Sequence, residues 1–146
     1  MKCKVIIDKG LNEDEALLCV REKTPLVDSI ESYINSLEKE IYGYKDKEAV
    51  CLNISDIYCI TIEDGRVIAV LENEKYYLKQ RLYVIEEQLG PSFLKINQST
   101  ILNTAKIKKF SASFGGCLMV TLKNGFKDYV SRRQLKQVKE KIGGKL

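Results

Sequence analysis

Three turn-forming pairs constrain this chain more than any other feature: Asp64-Gly65, Gly115-Gly116 and Asn124-Gly125. Asp-Gly and Asn-Gly supply the positive φ angles that two-residue hairpin turns require, and Gly-Gly supplies them at both positions. Each pair lies between β-type runs: Tyr58–Ile62 and Val67–Leu71, then Ile107–Phe114 and Cys117–Leu122, then the latter and Phe126–Val130. From Ala49 onward the expectation is therefore a set of antiparallel hairpins. Two short helices interrupt them. Leu78, Leu82, Ile85 and Leu89 share one face at helical spacing, and Gly90-Pro91 stops that helix. Ser131 with Gln134 three residues on is a capping box, followed by an apolar stripe of Leu135, Val138 and Ile142. The expected fold class is mainly β, α+β overall.

The first third reads as strand, strand, helix. Residues 2–8 alternate, Ala16 to Arg21 are strand-like, and Gly10 and Asn12 lie between them as turn residues. Thr24-Pro25 opens a helix with Thr at the N-cap and Pro at N1. Leu26, Ile30, Tyr33, Ile34, Leu37 and Ile41 fall on one stripe, and Gly43 is expected to end the helix. The expected organisation is a β-β-α extension over 1–43, suited to a dimer contact, followed by a β-rich domain over 44–146.

Several function classes are excluded early. The chain has no histidine, which removes Ser-His and Cys-His nucleophile activation and the commonest metal ligand. Its five cysteines, Cys3, Cys19, Cys51, Cys59 and Cys117, are odd in number and widely spaced, with no C-x-x-C pair. That favours reduced thiols filling the core over a disulfide framework or a zinc site. No apolar run reaches the roughly 18 residues of a membrane span, and the start is not a signal peptide. The expectation is a cytoplasmic, non-enzymatic protein with no cofactor, no metal and no small-molecule substrate.

Charge points to a partner. Residues 1–43 and 44–92 each carry six Lys/Arg against nine Asp/Glu. Residues 93–146 carry twelve Lys/Arg against only Asp128 and Glu140, a net +10 on a chain whose total is +4. A basic third behind an acidic front is the footprint of a polyanion-binding face, the alternative being a solvated basic surface. Arg132 and Arg133 sharpen the point. They occupy the first turn of the last helix, where the macrodipole disfavours cations by ~0.3–1 kcal/mol each. An anion there would accept from the free N–H groups and both guanidinium forks, whereas an ion pair to Asp128 would be merely structural. Lys136 rides on the same helix.

A second cluster lies in Phe93-Leu94-Lys95-Ile96-Asn97-Gln98-Ser99-Thr100-Ile101-Leu102-Asn103. Phe93, Ile96, Ile101 and Leu102 are expected to anchor it, leaving Lys95, Asn97, Gln98 and Ser99 free to project. Asn and Gln amides pair with adenine N6/N7, while Ser and Lys suit phosphates. The same residues also describe an ordinary polar turn. Asn103 is expected to be a structural hydrogen-bonder.

These motifs together resemble the LytTR family of bacterial DNA-binding domains. The family pattern is roughly F-x-R-I-H-R-S-x-I-V-N, a hairpin, L-x-N-G, then v-S-R-r. Phe93, Ile96, Ser99, Ile101 and Asn103 match it, as do Leu122, Asn124, Gly125, Ser131, Arg132 and Arg133. Ser55-Asp56-Ile57-Tyr58-Cys59-Ile60 resembles the strand that opens the domain, so the likeness covers about 44–146. This chain departs from the pattern at Asn97-Gln98, where the family commonly has His-Arg, and at Lys95, where it has Arg. The resemblance implies a transcription regulator that binds repeated half-sites of double-stranded DNA as a homodimer through major-groove loops. Its base-reading groups would lie near Asn97 and Gln98, near the Asp64-Gly65-Arg66 turn, and at Ser131-Arg132-Arg133. Gln98 in place of arginine would favour adenine over guanine. The resemblance further implies a neighbouring membrane protein as a restraining partner. The other readings are a single-stranded nucleic-acid-binding β domain, or a protein-only adaptor acting through the 26–41 helix.

Overall fold

The central strands are apolar on consecutive residues because both of their faces are covered. In the computed structural model, residues 2–12, 15–36, 40–112 and 114–142 are described, Ser36 and Phe114 by backbone alone. After helix α1 (Pro25–Ser36), seven strands build one antiparallel sheet: β1 (Ile41–Lys45), β2 (Glu48–Leu52), β3 (Cys59–Glu63), β4 (Arg66–Val70), β5 (Lys75–Leu78), β6 (Phe93–Asn97) and β7 (Thr100–Asn103). Their order is β2-β1-β5-β4-β3-β7-β6. Strands β8 (Ile107–Ala112), β9 (Leu118–Leu122) and β10 (Lys127–Val130) form a second sheet in the order β10-β9-β8. Helix α2 (Leu82–Gln88) precedes β6, and α3 (Arg132–Ile142) follows β10. Strands dominate, in line with the expected fold class.

Alternation sends side chains of the large sheet into two cores. Ile60, Ala69 and Ile101 pack with Ile85 and Leu89 of the α2 segment, whereas Cys59, Ile68, Val70 and Leu102 pack with Val120 and Leu122 of β9 and Val138 of α3. The second sheet and α3 thus cover one face, and α2 the other. β6, at one edge, is capped by α3: Ser131 N–H donates to Ile96 O at 2.8 Å, and Lys141 Nζ donates to Phe93 O at 3.0 Å. Burial lowers the Lys141 pKa, because the charged ammonium loses water there.

The three Gly-marked hairpins form as expected. Other expectations fail, each for a local reason. Leu78 ends β5 rather than starting a helix, since Lys75–Leu78 pairs with Val67–Val70. Ile41 and Gly43 belong to β1, not to the end of α1. Gly43 is buried where a methyl group would lie 2.5 Å from Tyr76 Cβ and 2.8 Å from Leu52 Cδ1, so the glycine serves close strand packing.

Residues 2–8 and 16–21 form no strand in this chain, so the β-β part of the extension is absent from it. Val5, Ile6 and Ile7 are 80–84% exposed. A lone pair of strands is marginal without a third element to cover it, and none covers these. Thr24 Oγ1 does accept from Val27 N–H at 3.3 Å as an N-cap for α1. Of the expected α1 stripe, Leu26, Tyr33 and Ile34 are exposed, Ile30 is half-buried, and Leu37 lies outside the described residues. Val27 is the residue that packs inward. Among the cysteines, Cys59 fills the core while Cys3, Cys19, Cys51 and Cys117 are exposed, so the expectation of uniform core filling holds for one position. All five are free thiols, and burial raises that of Cys59 far above its ordinary range.

Candidate nucleic-acid interface

The turn between β6 and β7 is made by a side chain. Asn97 Oδ1 accepts from Ser99 N–H at 2.8 Å, an Asx turn that closes the hairpin without glycine. The same amide donates from Nδ2 to Tyr129 O of β10 at 2.9 Å. A register shift between Lys95 and Asn97 marks a bulge at this point, which re-aims the strand end. Asn97 is therefore buried, with 3% exposure and both ends of its amide occupied. Gln98, beside it, is exposed and Ser99 half-buried.

Backbone bonds draw two further segments to this turn. Ile62 N–H donates to Ser99 O at 3.1 Å, bringing up the β3–β4 hairpin with Asp64-Gly65 at its tip. Ser131 N–H donates to Ile96 O, bringing up the start of α3. A buried polar chain reinforces the cluster. Thr100 Oγ1 donates to Asp128 Oδ2 at 2.6 Å, so the 2.8 Å contact between Thr61 and Thr100 hydroxyls has Thr61 as donor. Gln98, the β3–β4 turn and the α3 N-terminus thus share one end of the molecule.

The arginines at that end are uncommitted. Arg132 and Arg133 are exposed, and neither makes an ion pair among the described residues. Asp128, the one acid near them in sequence, instead accepts from Thr100 and from Tyr129 N–H at 2.8 Å. Ser131 Oγ accepts from Gln134 N–H at 3.3 Å, half of the expected capping box. The reciprocal half does not form because the Ser131 N–H is spent on Ile96, and Gln134 Oε1 is left buried without a partner. Lys136 is exposed one turn after Arg132, on the same side of α3.

The remaining expected site residues lie apart from this group in differing degrees. Arg66 is exposed at the start of β4 with its guanidinium 5.1 Å from the centre of the Tyr77 ring. Lys95 is half-buried and ion-paired at 3.7 Å with Glu86 of α2, on the sheet face opposite α3. Strand register adds residues that the sequence reading passed over. Lys109, Thr121 and Lys127 stand in one row across the second sheet, and Ser111, Met119 and Tyr129 in the next. Lys109, Lys127 and Tyr129 on that face are exposed. Polar or amphipathic residues at alternate strand positions, Lys109 with Ser111 and Lys127 with Tyr129, were the available signal.

A family model described as LytTr DNA-binding domain matches residues 47–143. The chain belongs to the LytTR family. Two uncharacterized HTH-type transcriptional regulators of Staphylococcus aureus, from strains NCTC 8325 and MSSA476, are 33% and 37% identical to this LytTR chain over 144 residues, covering 97% of it and 98% of theirs. A solved LytTr DNA-binding domain from Bacillus cereus, 18% identical, matches with a TM-score of 0.67 over 73% of this chain and 98% of that one. The described helices of this LytTR chain are separated by strands, so none of them forms a helix-turn-helix pair with another. Among the described residues no helix is long and apolar enough to cross a membrane.

Proposed function

We propose that this LytTR protein is a transcription regulator that binds double-stranded DNA sequence-specifically, reading bases with Gln98 and gripping phosphates with Arg132, Arg133 and Lys136. The observation that carries this is the convergence of an exposed amide turn and an arginine-bearing helix start, tied by Ser131 N–H to Ile96 O and by Asn97 to Tyr129. Two unpaired arginines in a first helical turn are unfavourable in isolation and favourable against a phosphate. Gln98 then stands where its amide can pair with an adenine edge. Asn97 serves the turn, so base reading falls to its neighbour. Ser99 stands next to Gln98 in the same turn, and Arg66 and Lys95 contribute at a distance through their charge. DNA recognition without catalysis, in the cytoplasm, on repeated half-sites and as a homodimer through residues 1–43, completes the reading. The relatives' description as transcriptional regulators supports it.

Titrating the full chain with double- and single-stranded forms of the DNA upstream of its own gene, across a series of salt concentrations, tests the proposal. Neutralising roughly 5–8 phosphates per protomer gives a log–log salt slope of roughly −5 to −7 with the duplex. Equal affinity for single strands, or a slope near zero, would overturn it.

A further inference from the structure

We infer that β2 is an acceptor edge, taking residues 2–8 of a second copy of this chain as an added strand seated between β2 and α1. The inference deepens the homodimer of the preceding reading and rests on it, but not on the DNA contacts. The two edges of the large sheet differ. β6 is closed by α3, whereas β2 has β1 on one side and, among the described residues, no strand on the other. An open edge presents unpaired N–H and C=O groups that template another strand. Beside this edge lies a cavity of about 530 Å³, walled by Leu52 at the end of β2, by Ser32 and Tyr33 of α1, and by Ile54 and Phe93.

The same chain carries a strand without a sheet. Residues 2–8 place Cys3, Val5 and Ile7 on one face and Lys2, Lys4, Ile6 and Asp8 on the other, yet none is paired within its own chain. An apolar strand face lacking cover and a sheet edge lacking a neighbour are complementary deficits. Charge agrees with the match: Lys2 and Lys4 would lie on the face of Cys51, where exposed Glu40, bonded to Tyr42 Oη, stands beside the same edge. Because this chain's own segment stands in solvent rather than on its own edge, the donor is a second copy. Exchange in both directions then closes a two-fold dimer in which each donated strand becomes the outermost strand of its partner's sheet.

Facing directions make the inference testable. Cys51 lies on the outer face of β2, opposite Val50 and Leu52. With Val5 and Ile7 turned to the apolar side, residues 2, 4 and 6 share the side of Cys51. In full-length protein with Cys3, Cys19 and Cys117 changed to serine, Lys2→Cys, Lys4→Cys and Ile6→Cys are made in turn and oxidised with copper-phenanthroline, Val5→Cys serving as control. Disulfide-linked double-mass species through Cys51 in at least one of the three, and not in the control, are expected. No link, or a link confined within single chains, would overturn the inference. Separately, Ile7→Asp should raise the dimer dissociation constant roughly tenfold or more in sedimentation, since it sets a charge on the apolar face. An unchanged dimer would also overturn it. Both readouts are taken without DNA, so loss of DNA binding alone would strike the DNA reading and leave this one standing.

Discussion

The turn end of the molecule and the arm before Thr24 are made of similar material: alternating apolar strands joined by polar turns. At the turn end every strand has a neighbour within the chain, and Asn97, Ser131 and Thr100 spend their polar groups on one another's segments. In the arm, Val5, Ile6, Ile7, Leu17, Leu18 and Val20 are all exposed. Alternation alone therefore specifies a face, not a strand. What turns a face into structure is a partner, and among the described residues of its own chain the arm has none.

The contrast predicts a graded series of substitutions. The largest effect is at Asn97. Asn97→Ala leaves Tyr129 O and Ser99 N–H without their buried partner and should cost about 2–4 kcal/mol in urea unfolding. Next come Arg132→Ala and Arg133→Ala, each weakening duplex binding by ~1–3 kcal/mol in fluorescence titration. Stability should hold or rise slightly in both, because a cation leaves a positive helix end. A collapse in Tm would make the pair structural. Narrower in reach is Gln98→Arg, which should move preference from adenine to guanine at one half-site position by ~1–3 kcal/mol. Binding-site selection should show the other positions unchanged, and identical logos for parent and variant would remove base reading from this turn. The smallest effect belongs to the arm. Ile6→Ala should shift unfolding of dilute, monomeric protein by less than about 0.5 kcal/mol.

How much of this was legible in the sequence follows the chemistry of the turns. Hairpins marked by Gly65, Gly116 and Gly125 could be read because glycine announces positive φ. The β1–β2 hairpin could not, since its turn puts Asp46 at φ 50° and Lys47 at φ 68° without any glycine. Nor could the β6–β7 hairpin, whose turn is held by the Asn97 side chain, a role that Asn53, Asn103 and Asn124 repeat elsewhere in the chain. Lys75–Leu78 was lost to a helical reading because Leu78 happens to fall in phase with Leu82 and Ile85. At the candidate site, residue type and position were enough to expect Gln98, Arg132 and Arg133 to project, and all three are exposed. The separate fates of Asn97 and Lys95 were not, because the bulge that puts one at the turn and the other beside Glu86 leaves no mark in composition.

The amide of Asn97 has one more consequence. By closing the Gln98 turn with one end and holding the strand that leads into α3 with the other, it fixes the distance between Gln98 and the helix start that bears Arg132 and Arg133. If Gln98 reads bases and the arginines grip phosphates, as proposed, that spacing acts as a ruler to which a duplex has to bring groove and backbone. Sequences that bend or narrow to fit it easily will be preferred even at base pairs no side chain touches.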